Sequence, residues 1–395
     1  MCHDKVDASS TLFGSTNALL QSAADAGSSS ADGASSEASL RVDEGGVAAE
    51  SAAADMAKLQ SRNYRLTVTS NSTESFVEPL ASPSANRQAS VSTGLSQLPT
   101  LSNRGLAYGD GFFTTMRVDK GQICWQAKHL QRIRTHAQAL SLALDHALLT
   151  QLQAVLSEHA RQLGLGVMKL IVTRVPQSIR GYGFTDLETG SDCEYWLQVS
   201  PDAPNVSSSV MTESASLTLP DATEVQMQMP IKASCLTSKI ACLPSLLAGL
   251  KTLNRLDSVM ASAELQRCKS ASPLNPPTEG LVKDMGGDWV EGTMSNVFYR
   301  LKDSQHAHKG HWYTPPITRS GVAGVMRSVI IEGFADSEKP VIERYLTDKD
   351  LPHITQMFFC NAVRGVMPVA QLALDENMLL GLLPIDSESL TAVIT

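Results

Sequence analysis

The stretch Asn103-Arg104-Gly105-Leu106-Ala107-Tyr108-Gly109-Asp110-Gly111-Phe112-Phe113-Thr114-Thr115 is where order is expected to begin in this chain. Gly109-Asp110-Gly111 reads as a turn, and the run Phe112 to Val118 that follows reads as a strand. Asp119-Lys120-Gly121-Gln122 then turns the chain into a second short strand, Ile123 to Gln126, making a hairpin. Beyond it Leu130, Ile133, Ala137 and Leu140 recur at helical spacing, which predicts a helix over Lys128 to Ala143 and, by the same pattern, another over Ala147 to Leu163. Strands at Val167 to Thr173 and Tyr195 to Val199 complete an α+β module.

Towards the N-terminus the composition changes. Residues 1–62 are dominated by Ser, Ala, Gly, Asp and Glu, with too few large apolar groups to offset chain entropy, so this extension is expected to be disordered. A strand is expected at Tyr64 to Thr69, followed by a Ser/Pro/Asn-rich loop from Ser70 to about Ser102. On the other side of the first module (63–200), the Pro/Asn/Ser-rich segment 201–215 reads as an interdomain linker. The second module, 216–395, opens with a strand at Ser216 to Leu219 and a helix at Leu253 to Cys268. It continues with a hairpin turning at Gly286-Gly287-Asp288, a helix from Val322 to Phe334, and strands at Met357 to Cys360 and Val366 to Ala373. The expected fold class is therefore α+β in two distinct domains, without internal repeats.

Composition narrows the function. With 43% apolar and 18% charged residues, the chain matches a soluble globular protein. No apolar run approaches the roughly 20 residues that cross a bilayer, and nothing at the front resembles a signal or transit peptide, so a cytoplasmic location is expected. A net charge of −8 with no basic stripe argues against nucleic acid and leaves a small-molecule substrate. The seven cysteines are scattered without metal-ligand spacing and read as reduced, mostly core residues; no metal site is expected.

Three segments can carry chemistry. Lys251, set among Leu250, Leu253 and Leu256, would lose charge if desolvated and become a nucleophilic amine, although a lysine in such company also snorkels to solvent. Ser320-Gly321-Val322-Ala323-Gly324-Val325-Met326 enters a helix through small residues, which suits a phosphate at free backbone N–H groups; it equally suits an ordinary helix with Ser320 as its N-cap. Glu291 leaves a strand into the turn Gly292-Thr293-Met294-Ser295-Asn296, where the plain alternative is an exposed strand-end carboxylate.

Taken in order with His129-Leu130-Gln131-Arg132-Ile133, Arg180-Gly181-Tyr182-Gly183 and Cys360-Asn361-Ala362, these segments resemble the fold-type IV pyridoxal-phosphate enzymes from about Asn103 to Ala373. That family contains branched-chain and D-amino-acid aminotransferases and aminodeoxychorismate lyases. The resemblance implies a two-domain fold like that of D-amino-acid aminotransferase, pyridoxal 5′-phosphate as cofactor, and Lys251 as the lysine that binds it covalently. It also implies Arg132 as a phosphate-binding arginine, with the backbone of Val325 and Met326 and the Asn361-Ala362 turn at the same phosphate. Glu291 is implied as the partner of the pyridine nitrogen.

Thr114-Thr115, where the aminotransferases usually carry Glu, makes the chain resemble the lyase branch, as do Lys251 to Leu256 and the Arg180 loop. By that resemblance the reaction takes 4-amino-4-deoxychorismate to 4-aminobenzoate and pyruvate, a step toward folate, with Lys251 moving the proton and Thr114 beside it. Arg180 and Thr115 are implied substrate contacts. A homodimer is implied too, and coupling to an aminodeoxychorismate synthase is left open. A transaminase of D-amino or branched-chain amino acids is the alternative, and a non-catalytic cofactor-binding protein a remoter one.

Overall fold

The computed structural model describes residues 61–67, 76–80, 99–185, 193–201, 215–302, 310–375 and 377–385. Nearly all of the expected disordered extension and of the expected linker lies outside the described residues.

A six-stranded antiparallel sheet forms the first layer, in the order β2-β1-β6-β5-β3-β4. Its strands are β1 (Arg62–Thr67), β2 (Phe76–Leu80), β3 (Gly111–Asp119), β4 (Gln122–Ile123), β5 (Gly166–Arg174) and β6 (Cys193–Pro201). β2 corrects the expectation of unbroken loop from Ser70 to Ser102: Phe76–Leu80 pairs antiparallel with β1, so backbone pairing to a neighbour makes a strand where turn-forming composition argued against one. A short helix, α1 (Arg104–Tyr108), precedes β3; Asn103 caps it by accepting from the Leu106 N–H, and Gly109 ends it at a left-handed φ of 66°.

Alternation along β3 decides what each face does. Phe112, Met116 and Val118 are buried with Met168, Leu170, Val172 and Leu197 under the helices α2 (Gln126–Ala139) and α3 (His146–Leu163), forming one apolar cluster. Phe113, Thr115 and Arg117 point to the opposite, half-buried face. Asp145 caps α3 through the Leu148 N–H at 2.8 Å.

The second sheet has eleven strands: β7 (Ala215–Thr218), β8 (Glu224–Met227), β9 (Ile231–Ile240), β10 (Glu279–Asp284), β11 (Trp289–Gly292), β12 (Asn296–Leu301), β13 (Tyr313–Thr314), β14 (Ile342–Glu343), β15 (Ile354–Asn361), β16 (Gly365–Ala373) and β17 (Leu379–Gly381). Because β15 pairs with both β12 and β16, the ladder β12-β11-β10-β9-β16-β15 closes on itself. Closure removes the sheet edges there. Val297, Tyr299, Met357, Phe359, Met367 and Leu372 belong to one core cluster of this ring. The alternate residues Phe298, Phe358 and Cys360 pack instead against Met326, Val329, Ile330 and Phe334 of α5 (Val325–Gly333) and its C-terminal flank, so β12 is buried on both faces. Phe298 and Phe358 stack with ring centroids 4.9 Å apart. A further helix, α4 (Leu256–Ala271), buries only Ala261 and Leu265.

Among the described cysteines only Cys360 is fully buried, fewer than the composition suggested. No helix among the described residues is long and apolar enough to cross a membrane.

Candidate active site

The segment 249–253 links β3 to the Val322-Ala323 loop through isolated bridges. Phe112 and Thr252 form an antiparallel bridge, the Phe113 N–H donates to the Lys251 carbonyl at 3.0 Å, and Leu253 N–H donates to Gly111 O at 3.1 Å. On its other side Gly249 bridges Val322 in parallel, and the Ala323 N–H donates to Gly249 O at 2.9 Å. Lys251 is thereby held opposite Phe113, and its ammonium lies 4.6 Å from the centre of that ring. Lys169, paired with Thr115 across β3 and β5, puts its own ammonium 4.8 Å from the same ring.

Lys251 is half-buried, with its head over the Phe113 ring. Burial, helped by the Arg132, Arg255 and Lys169 charges and opposed by the Glu291 carboxylate, pulls its amine down to about 8. Glu291 is buried rather than exposed; desolvation pushes its carboxyl up to about 7 against the Val322 N–H and the Arg255 and Lys251 charges. Its Oε2 accepts from Val322 N–H at 2.8 Å and from Asn296 Nδ2 at 3.3 Å. The turn between Glu291 and Asn296 is fixed from below by Glu279, a buried carboxylate that accepts from Thr293 N–H at 2.9 Å and Ser295 Oγ at 2.7 Å.

The backbone of Val322-Ala323 is the hub of the site. Asn296 Nδ2 donates to Val322 O at 2.8 Å, and Arg132 Nη2, from α2 of the first layer, donates to Ala323 O at 2.7 Å. Arg132 is buried, and desolvation with the nearby Arg255 charge lowers it to about 10, so its guanidinium keeps its charge at neutral pH. Immediately after this hub α5 begins at Val325 with no side-chain cap, and Ser328 N–H is the first to turn back, to Gly324 O. Ser320 is not the N-cap: its hydroxyl donates to the buried Asp284 at 2.8 Å, which Arg319 also clamps at 2.7 Å, and the cap position falls on Gly324. A Cβ at Gly324 would lie 1.9 Å from Asn296 Oδ1, so the close approach of loop to turn requires glycine.

Asn361 accepts through its side-chain Oδ1 from the N–H groups of Val363 and Arg364, at 3.0 and 2.8 Å, which shapes the Asn361-Ala362 turn. Ala362, Val363 and Met326 line a cleft of about 620 Å³ together with Trp125. A second cleft, about 860 Å³, is lined by Tyr108, Tyr182, Asn254, Arg255 and Gly321. Lys251, Arg132, Glu291, Val325 and Met326 are thus gathered around one loop, with the Asn361-Ala362 turn sharing a cleft with Met326.

Two expected residues sit elsewhere. Thr114 is fully buried on the helix side of β3, its hydroxyl 2.7 Å from His129 Nδ1, so strand alternation turns it away from Lys251 and presents Thr115 to that face instead. Arg180 is exposed, outside the buried cluster; its loop is held through Arg104, which donates to the carbonyls of Tyr182 and Gly183. The sequence reading missed Lys169, Arg255, Asn296 and His136. It could have found Lys169 only by pairing β3 with β5, because nothing local marks that lysine.

A deprotonatable amine, a charged arginine, an open helix N-terminus and a buried carboxylate fit a phosphorylated aldehyde with a basic ring nitrogen, and the glycine at 324 leaves the helix start unobstructed. A sequence model of the amino-transferase class IV family matches residues 111–372. The chain belongs to that family. Its cofactor is pyridoxal 5′-phosphate. Among its relatives, the aminodeoxychorismate lyase of Vibrio harveyi is 27% identical over 278 residues, covering 70% of this chain and 88% of the relative. The crystal structure of 4-amino-4-deoxychorismate lyase from Pseudomonas aeruginosa is 29% identical, covers 74% of this chain and 92% of its own, and superposes with a TM-score of 0.56. The branched-chain amino acid aminotransferase of Escherichia coli shares the fold, with a TM-score of 0.52 at 18% identity over 71% of this chain and 83% of its own.

Proposed function

We propose that this protein is an aminodeoxychorismate lyase, cleaving 4-amino-4-deoxychorismate to 4-aminobenzoate and pyruvate with Lys251 as the cofactor lysine. The observation that carries the reading is the placement of Lys251, whose segment pairs with β3 and with the same Val322-Ala323 loop to which Arg132 and Glu291 are hydrogen-bonded. The lyase rather than the transaminase is supported by the 27% and 29% identical relatives that carry the lyase name.

In this reading the Arg132 guanidinium and the N–H groups of Val325 and Met326 bind the phosphate, where a helix N-terminus and a charged fork act together. Asn361 orders the turn that brings Ala362 to the same end. Glu291 would face the pyridine nitrogen and keep it protonated. Bound pyridoxal phosphate supplies an electron sink for the pair left when a proton leaves the carbon beside the nitrogen. Nζ of Lys251, beside the cofactor, would accept that proton and return one to the enolpyruvate as its bond from oxygen to the ring carbon breaks. Thr115 and Lys169 face the substrate, Lys169 as a cation for a carboxylate.

The test is the absorption spectrum of the purified protein with pyridoxal phosphate, beside Lys251→Ala, followed by addition of aminodeoxychorismate while 4-aminobenzoate fluorescence is recorded. A Lys251-dependent band with fluorescent product is the expected result. A band without product, together with amino-acid-dependent loss of the band, would replace the lyase by a transaminase, and absence of any band would end the reading.

A further inference from the structure

His136 lies on the inner face of α2, one turn beyond Arg132, and is buried against Phe112, with ring centroids 5.4 Å apart at 66°. Its Nε2 accepts the backbone N–H of Lys251 at 2.9 Å. An imidazole that accepts at Nε2 carries its proton on Nδ1, and the neighbouring Thr135 hydroxyl stands 3.5 Å from that nitrogen while itself donating to Arg132 O at 3.1 Å. With Phe113 N–H bound to the Lys251 carbonyl, both peptide groups of the lysine are held, one by β3 and one by α2.

We propose that His136 is a positioning residue: as a neutral Nδ1–H imidazole it pins the peptide N–H of Lys251 and so holds the lysine side chain against Phe113, at the mouth of the cofactor loop. The proposal rests on Lys251 being the cofactor lysine. Two features favour it over simple core filling. The acceptor is spent on the backbone of the one residue whose side-chain position matters most to the chemistry. The surroundings also keep the ring neutral: burial, with the Arg132, Arg255 and Lys251 charges around it, lowers His136 to about 3, so it remains an acceptor through the whole range in which the lysine titrates. Releasing the N–H would let the lysine backbone drift from β3 and its amine escape toward solvent, raising the amine toward its ordinary value.

The test compares full-length wild type with His136→Leu, which removes the acceptor, and His136→Gln, whose amide oxygen reaches about as far as Nε2. Hydrogen exchange of the 249–253 peptide is followed in the cofactor-free protein, as is the pH midpoint of the rate at which that protein captures pyridoxal phosphate in a Lys251-dependent band, with thermal unfolding as the control for fold. The expected result is exchange at the Lys251 amide about tenfold faster in His136→Leu, the scale of one lost hydrogen bond. The midpoint should shift upward by about one pH unit, which is the same free energy. His136→Gln should restore both, and kcat should fall more than KM changes. Unchanged exchange and midpoint in His136→Leu would overturn the assignment, as would equal changes in both variants. If His136→Leu does not fold, His136→Asn, whose amide falls a methylene short, takes its place with the same expected and overturning results. A wild type without a Lys251-dependent band would sink the cofactor reading, and the exchange arm would still judge the hydrogen bond.

Discussion

Lys251 takes its reactivity from its neighbours, since burial and the Arg132 and Arg255 charges lower its amine while Glu291 pulls the other way. The sign of the resulting pH dependence follows directly: below about 8 the amine is protonated and cannot attack an aldehyde, above it the amine is free. Covalent capture of pyridoxal phosphate by the cofactor-free protein is therefore expected to rise about tenfold per pH unit below that value and level off above it, read as the rate of absorbance change in rapid mixing. The two threonines of β3 part company at the same scale. Thr115→Val is expected to lower kcat with little change in stability. Thr114→Val, which strands His129 Nδ1 in the core, is expected to cost about 1–3 kcal/mol in urea unfolding and to leave kcat nearer wild type. A kcat loss confined to Thr114→Val would reverse that assignment.

At the scale of elements, the site depends on how closely the 322–324 loop approaches the β11–β12 turn. Asn296 ties the two together, and α5 can start where it does only because position 324 lacks a Cβ. Gly324→Ala is expected to push Asn296 away from Val322 and Glu291, destabilise the protein by about 1–3 kcal/mol, and weaken pyridoxal phosphate binding by about tenfold or more in equilibrium titration. Wild-type affinity in that variant would mean the loop yields without disturbing the phosphate end. Other elements reach the same loop from below: Asp284 of β10 anchors Arg319 and Ser320, and Glu279 anchors the turn that carries Glu291.

Across the whole molecule, the chemical groups come from both sheets and are drawn together by the 249–253 link, with Arg132 of α2 reaching Ala323 and Lys128 of α2 paired with Glu332 of α5. One region of the outside is conspicuously apolar: Leu256, Val259 and Met260 of α4 are exposed, as are Leu106 and Tyr108 of α1. Tyr108, Leu256 and Val259 line the same cleft as Arg255. The homodimer that the family resemblance implies is expected to use this surface. Sedimentation equilibrium is expected to give a dimer for the wild type and a monomer for a Leu256→Asp/Val259→Asp double variant; an unchanged mass in that variant would place any dimer contact elsewhere.

The sequence by itself determined α2, α3 and the β3–β4 hairpin, because there apolar periodicity and turn residues agree with the fold. It also determined the order of the motifs that carry Lys251, Arg132, Glu291 and the α5 start. It did not reveal β9, Ile231–Ile240, whose buried Ala233, Leu236 and Ile240 fall at intervals of three and four because the pairing with β10 and β16 is interrupted by register shifts. Nor could it reveal β2, closure of the ring through β15, or which of Thr114 and Thr115 faces the lysine. His136, Lys169 and Asn296 carry no local signal of their roles, since each acts on a residue far along the chain. Local pattern encodes which elements form, whereas register and long-range pairing decide which side chains meet, and those exist only once the sheets have assembled.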